Sequence, residues 1–179
     1  SPQWYTQTIT EDMKPEFHAE INAWIIDDPD PQSEQLLREL VIANNEFELK
    51  KYFSGFLQFG TAGLRGPLGP GPSSMNRAVV GRTAAGLANF MKARGLKSIV
   101  VGRDARHGSE DFTHDTAEIM SGAGMEVFVL PRPLPTPVLA FAITALGVDV
   151  GVMVTASHNP REDTGYNVCP GGHLTGINY

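Results

Sequence analysis

The chain has 179 residues, of which 41% are hydrophobic, enough for one sizeable core with a small appendage. Its formal net charge of -6 argues against a general nucleic-acid binder, because such proteins carry a large excess of lysine and arginine. The single cysteine, Cys169, excludes an intrachain disulfide, and no apolar run approaches the ~20 residues that span a bilayer. We therefore expect a cytoplasmic globular protein with no nucleic-acid or membrane partner.

Two helices are predicted in the first fifty residues. Apolar residues recur at helical spacing over residues 17–25, and the proline-containing run at 27–31 ends that helix. Asp30 then caps a second helix that has Pro31 in its first turn. The residues predicted to form the buried face of the second helix are Leu36, Leu37, Leu40 and Val41.

Apolar residues, most of them aromatic, are dense between positions 50 and 59. Such residues more often pack than bind a ligand, so they are predicted to dock the helices onto the main core. The residues concerned are Tyr52, Phe53, Phe56, Leu57 and Phe59. The predicted units are a helical appendage, residues 1–55, and a main domain, residues 56–179.

The segment Gly60–Pro72 has five glycines and three prolines, which excludes a regular helix. Glycines let a ligand approach the backbone closely, and Thr61 and Arg65 could supply a hydroxyl and a planar guanidinium to a phosphate. These residues alone leave a second interpretation open. In it, the segment is a glycine-rich hairpin whose Arg65 pairs with a surface carboxylate.

Helices and strands then alternate along the chain. A helical stripe over residues 79–91 ends at Gly95, and strands are predicted at 98–101, at 126–130 and over the apolar run 147–154. Ser109 is predicted to cap the helix between the first two strands, and residues 138–146 form the next helix. The predicted fold is α/β, with a mixed, mainly parallel sheet covered by helices on both faces and an N-terminal helical appendage.

Polar residues follow two of these strands. Arg103 and Asp104 follow the first strand, and Ser157 and His158 follow the apolar run 147–154. Because ligands bind at the carboxyl ends of parallel strands, these four residues are expected to share one rim. Ser157, an exposed hydroxyl after a buried strand, is the leading candidate for the reacting residue.

Two common uses of such a serine do not fit. The nucleophile elbow of serine hydrolases has glycine two residues either side of the serine, where this chain has Thr155 and Asn159. Adjacent residues such as Ser157 and His158 also rarely face each other as a dyad. No Gly-Lys-Ser or Gly-Lys-Thr follows a glycine-rich turn, so a Walker-type phosphate loop is absent.

The segment Thr155-Ala156-Ser157-His158-Asn159-Pro160 resembles the phosphoserine loop of the α-D-phosphohexomutases, the phosphoglucomutase and phosphomannomutase superfamily. Trp24 and Asp28-Pro29-Asp30 are similar to the branch of the long bacterial phospho-sugar mutases and the mammalian phosphoglucomutase-2-like enzymes. The other matching segments, in order within about residues 56–168, are 59–66, 102–104 and 135–137.

The resemblance implies that Ser157 is phosphorylated at rest and exchanges its phosphoryl group with hexose phosphates. Glucose 1-phosphate and glucose 6-phosphate would interconvert through glucose 1,6-bisphosphate, which is also the implied activator. A phosphoserine carries about -1.5 to -2 charges at neutral pH and therefore needs cations. The resemblance implies Mg²⁺, bound in part through the phosphate on Ser157.

Roles for three further residues follow from the same resemblance. It places Arg65 near the reacting groups, where it would stabilise charge and could also take part in proton transfer. Thr61 would contact the substrate. His158 would donate to the phosphate or sugar, although a backbone hydrogen bond that only fixes the loop is the alternative.

The chain also departs from the family pattern. Asn167 stands where the family has a lysine that is a candidate general acid or base, and an amide cannot titrate in that range. Asp104 and Asp163 are nearby carboxylates, but a single carboxylate does not form a Mg²⁺ site.

The segments that would follow the first domain of these enzymes, including an Asp-Gly-Asp metal loop, are not in the sequence. A fragment that is inactive without the remaining mutase domains is therefore expected. The alternative is a non-catalytic module for phosphosugar binding or assembly.

Overall fold

The computed structural model describes residues 13–60, 63–104, 109–155 and 163–174. The strands are β1 (Gly63–Pro67), β2 (Ser98–Arg103), β3 (Glu126–Val129), β4 (Val150–Thr155) and β5 (Asp163–Pro170). The helices are α1 (Pro15–Asp27), α2 (Pro31–Ile42), α3 (Glu46–Tyr52), α4 (Arg77–Ala93), α5 (Ser109–Gly122) and α6 (Thr136–Leu146), and a short 3-10 helix spans Gly172–Leu174.

The five strands form one mixed sheet in the order β1-β5-β4-β2-β3. β2 pairs in parallel with both β3 and β4, whereas β5 is antiparallel to both of its neighbours. Four of the five strands therefore point the same way, and β5 alone is reversed. The predicted mixed, mainly parallel α/β sheet is confirmed.

Helices cover both faces of the sheet. On one face, α4 and α5 pack against the alternate residues Ile99 and Val101 of β2 in the larger core. On the other face, Leu139 and Ile143 of α6 pack on Val100 and Met153 in a smaller core. Successive strand residues point to opposite faces, so the nearly continuous apolar sequences of β2 and β4 are explained by burial on both sides.

The N-terminal helices follow the prediction closely. Pro15 begins α1 and Asp27 ends it, while the Asp30 carboxylate caps α2 by accepting from the Gln32 N–H at 3.0 Å. Trp24 packs edge-on against Phe53, with ring centroids 6.2 Å apart. Both residues belong to the larger core of the sheet, so the helical segment shares its hydrophobic core with the α/β layers. The boundary between residues 55 and 56 stays a prediction.

Three residues predicted to be buried are exposed. Leu36 is 38% exposed because α2 buries chiefly Leu37, with Leu40 and Val41 only partly covered. Phe56 and Phe59 are 65% and 57% exposed. The prediction that Phe56 and Phe59 dock onto the core is therefore wrong, because α3 ends at Tyr52 and the packing is made by Phe53, with partial burial of Tyr52 and Leu57.

Among the described residues, no helix combines the length and the apolar character that crossing a membrane requires.

Asp149 links three parts of the chain at the end of the sheet where β2 and β4 begin. Its carboxylate accepts from the backbone N–H groups of Lys97 and Ser98 at 2.7 and 3.2 Å, and lies 2.8 Å from His173 Nε2. Partial burial would raise the pKa of the Asp149 carboxyl, but these hydrogen bonds outweigh burial and lower the pKa.

We expect Asp149→Asn to lower the free energy of unfolding at pH 7 by about 1–3 kcal/mol, the value of hydrogen bonds to a charged group. A carboxyl whose pKa is lowered by folding stabilises above its unfolded pKa of about 3.9 and loses that contribution as pH falls. Urea unfolding from pH 7 to pH 2.5 should show the gap between wild type and variant closing below about pH 4. A gap that is constant over this range would contradict the assignment.

Candidate active site

The sheet register brings Arg65 alongside the end of β4. Arg65 pairs with Gly165 of β5, and Gly165 pairs with Thr155, the last residue of β4. Directly opposite residues project to the same face of a sheet, so Arg65 and Thr155 flank Gly165 on the α6 face. Since neighbouring strands lie ~4.8 Å apart, the two backbones are separated by about 10 Å. Gly165 itself adds no side chain between them.

The local sequence of β1 explains how Arg65 reaches this position. The Gly60 N–H donates to the Gly63 carbonyl at 2.8 Å, which holds Gly60 beside the first residue of β1. Gly63 has a φ of +146° and lies so close to β5 that a Cβ would overlap the Tyr166 carbonyl oxygen. Gly63 therefore allows β1 to pair closely with β5, and Arg65, two residues further on, is exposed.

The Arg65 guanidinium is exposed, and none of the residues in the described ranges accepts a hydrogen bond from it or forms an ion pair with it. The alternative in which Arg65 pairs with a surface carboxylate is not seen in those ranges. An exposed, planar fork of donors is suited to bidentate contact with phosphate.

Asn167 lies beside this row of residues. It pairs with Met153 of β4 and with Gly63 of β1, and its Nδ2 donates to Thr155 Oγ1 at 3.4 Å. The structure thus places the neutral amide, which occupies the position of the expected lysine, at the carboxyl end of β4.

Asp104, the residue that follows β2, lies at the same end of the sheet, where β4 ends. The Asp104 N–H donates to the Val154 carbonyl at 3.0 Å, and the Asp104 carboxylate accepts from the Ser109 hydroxyl at 2.9 Å. Ser109 is the first residue of α5 rather than the predicted capping residue before it, and its hydroxyl donates to Asp104. Arg103 is half-buried and pairs with Val154 in the parallel register. Arg103 and Asp104 therefore lie at the end of β4, as the sequence predicts.

The carboxylates of the described residues do not form a metal site on their own. Among residues 13–60, 63–104, 109–155 and 163–174, no group of three or more His, Cys, Asp or Glu side chains could bind a metal ion. Asp104 is engaged by Ser109, and Asp163 stands at the start of β5 opposite Pro67. The described residues therefore do not fit a complete Mg²⁺ site.

Two ionisable groups of β5, the buried Tyr166 hydroxyl and the partly buried Cys169 thiol, keep their protons at neutral pH. Burial raises the pKa of the Tyr166 hydroxyl, which lies 3.0 Å from the Thr116 hydroxyl in the larger core. Burial also raises the pKa of the Cys169 thiol. Cys169 is therefore not a thiolate nucleophile, since reactive cysteines have lowered pKa values.

The predicted site residues divide into two groups. Strands β1, β2 and β5 bring four residues to the end of the sheet where β4 ends, namely Arg65, Arg103, Asp104 and Asn167. Thr61, Ser157 and His158 lie outside the described residues. Thr155 and Gly165 cannot be recognised from single segments of sequence as neighbours of Arg65, because only the pairing of β1, β5 and β4 brings them together.

The sequence and the fold match a known family. The sequence model described as phosphoglucomutase/phosphomannomutase, alpha/beta/alpha domain I, matches residues 57–175. The chain therefore belongs to the phosphoglucomutase/phosphomannomutase family through this domain.

Individual relatives support the same assignment. A Haemophilus influenzae protein named "Probable phosphomannomutase" is 56% identical over 95 residues, 52% of this chain and 20% of that protein. A Saccharomyces cerevisiae phosphoribomutase is 36% identical over 167 residues, 90% of this chain and 27% of that protein. The crystal structure of a phosphoglucomutase/phosphomannomutase family protein from Burkholderia thailandensis has a TM-score of 0.55 at 28% identity, covering 62% of this chain and 25% of that chain. The matched regions thus span 20 to 27% of these relatives.

Proposed function

We propose that Ser157 carries a phosphoryl group and exchanges it with hexose phosphates, interconverting glucose 1-phosphate and glucose 6-phosphate through glucose 1,6-bisphosphate. The observation that supports this most is the register Arg65–Gly165–Thr155, in which an exposed guanidinium stands beside the strand that leads to Ser157. A donor fork there can neutralise charge when a phosphoserine and a sugar phosphate approach each other.

In the proposed transfer, a sugar hydroxyl oxygen bonds to phosphorus and the bond between phosphorus and the Ser157 oxygen breaks. The proton lost by the sugar ends on the serine oxygen. Arg65 stabilises the charge on the transferring group, while His158 and Thr61 contact the phosphate or sugar. Asn167 cannot carry the proton, because an amide does not titrate in this range.

The proposed enzyme includes further mutase domains, because the relatives are several times longer than their matched regions. Mg²⁺ bound through the Ser157 phosphate and glucose 1,6-bisphosphate as activator belong to the same proposal, as does a cytoplasmic location. The relatives carry the names of mannose and ribose mutases, so mannose and pentose phosphates are alternative substrates to be compared with glucose phosphates.

A non-catalytic phosphosugar-binding or assembly module is the second candidate. Asn167 favours it, since the amide at the end of β4 leaves the site without a titratable group at this position. The two candidates differ in whether a covalent phosphoprotein forms.

The test is to incubate the chain with glucose 1,6-bisphosphate and Mg²⁺ and to measure its intact mass. We expect the addition of one phosphoryl group to wild type and none to Ser157→Ala. The matched control is Ser121→Ala, which removes an exposed serine of α5 and should still be labelled. A folded wild type that gains no mass would overturn the proposal and favour the module.

A further inference from the structure

The side chain of Asn167 reaches along the sheet toward the end of β4. Its partner in the register is Met153, yet its amide donates to the hydroxyl of Thr155, two residues further on. Side chains on diagonal positions of an antiparallel pair lie within reach of each other. The contact therefore ties the middle of β5 to the last residue of β4.

Glycines are register partners of both residues, Gly165 of Thr155 and Gly63 of Asn167. A Cβ on Gly165 would lie 3.5 Å from Thr155 Oγ1 and 3.6 Å from Asn167 Oδ1, at ordinary contact distance from both side chains. On the other side, a Cβ on Gly63 would lie 2.9 Å from the Asn167 Cα. Neither glycine contributes a side chain, and the Asn167 amide meets the Thr155 hydroxyl directly.

We propose that Asn167 is a positioning residue, whose hydrogen bond holds the Thr155 hydroxyl and fixes the end of β4 beside Arg65. The inference rests on the proposed function, in which the strand end determines where phosphoryl transfer occurs. Because the amide carries no charge, it orients the strand end without adding a second cation to the row that contains Arg65.

Phosphoryl uptake from glucose 1,6-bisphosphate by the full chain tests this role. Asn167→Ala and Thr155→Val should each slow uptake roughly two- to tenfold, the range for losing one neutral hydrogen bond. The double variant should be no slower than either single variant, and Thr155→Ser, which keeps the hydroxyl, should match wild type. Multiplied effects in the double variant, or a slow Thr155→Ser, would overturn the proposal.

A pH series separates positioning from a merely structural role. Asn167→Lys places an amine with an ordinary pKa of about 10.4 at the same point. The uptake rate of this variant relative to wild type should change between pH 8 and pH 10.5, as the amine loses its charge beside the reacting groups. A ratio that is constant over this range would overturn the inference, because position 167 would then lie too far from the reacting groups to position them.

Hydrogen exchange distinguishes failure of this inference from failure of the proposed function. If wild type takes up no phosphoryl group, the proposed function fails, and exchange at the amides of residues 154 and 155 still tests the contact. Both Asn167→Ala and Thr155→Val should speed exchange there by the same factor, while the amides of β3 stay unchanged. Unchanged exchange at residues 154 and 155 would overturn the inference.

Discussion

Gly63→Ala is expected to destabilise the chain by more than about 4 kcal/mol, the upper end of single-substitution effects. At a φ of +146° a side chain is strained, and the new Cβ would overlap the Tyr166 carbonyl oxygen and lie 2.9 Å from the Asn167 Cα. Both neighbours are backbone atoms of β5, so β1 must separate from β5 to relieve the overlap. Chemical unfolding followed by circular dichroism measures the loss.

Gly95→Ala is the matched control for this prediction. Gly95 also has a positive φ, +68°, but a Cβ there would have no heavy atom within 4 Å. Gly95→Ala should lower the free energy of unfolding only by the cost of a left-handed backbone conformation, about 1–2 kcal/mol. Equal losses in the two variants would show that the close pairing of β1 with β5 is not what constrains Gly63.

Arg65→Ala is expected to slow phosphoryl uptake from glucose 1,6-bisphosphate by about 10²- to 10³-fold, as for removal of one preorganised donor to developing charge. Arg65 is exposed on an edge strand and takes no part in the hydrophobic cores, so thermal unfolding should change little. Arg65→Lys should recover only part of the rate, because an ammonium group lacks the planar fork of donors. Time-resolved intact-mass measurement gives the rates.

The control for the arginine substitutions is Arg38→Ala. Arg38 is another exposed arginine, paired with Glu34 on α2. An isolated surface pair contributes little, so removal of Arg38 should leave the uptake rate within about twofold of wild type. If Arg65→Ala is labelled as fast as Arg38→Ala, the guanidinium beside β4 has no part in the transfer.

The parts of the fold that follow from sequence are those with strong periodicity or caps. Asp30 and Pro31 predict the start of α2, and Gly95 predicts the end of α4, because each satisfies a local backbone requirement. The apolar runs of β2 and β4 are also clear, since burial on both faces demands continuous apolar sequence.

β1 and β5 were not predicted as strands, and the reason is tertiary. Gly63–Pro67 contains two glycines and a proline, residues that are depleted in strands. The segment is extended only because β5 pairs with it, and Asp163–Pro170 lacks a long apolar run of its own. The resemblance placed Arg65 near the reacting groups, but the row that it forms with Gly165 and Thr155 could be found only from the pairing of these two segments.

The strand order has a consequence for how the site is assembled. In the described sheet β1 touches only β5, which is made almost one hundred residues later and lies between β1 and β4. During synthesis, Arg65 therefore remains on an unpaired segment until residues 163–170 have emerged and joined the edge of β4. Closing such a long loop is slow, so the edge of β4 stays open to other chains during that interval. The step that completes the candidate active site is thus also the step that covers the exposed edge of β4.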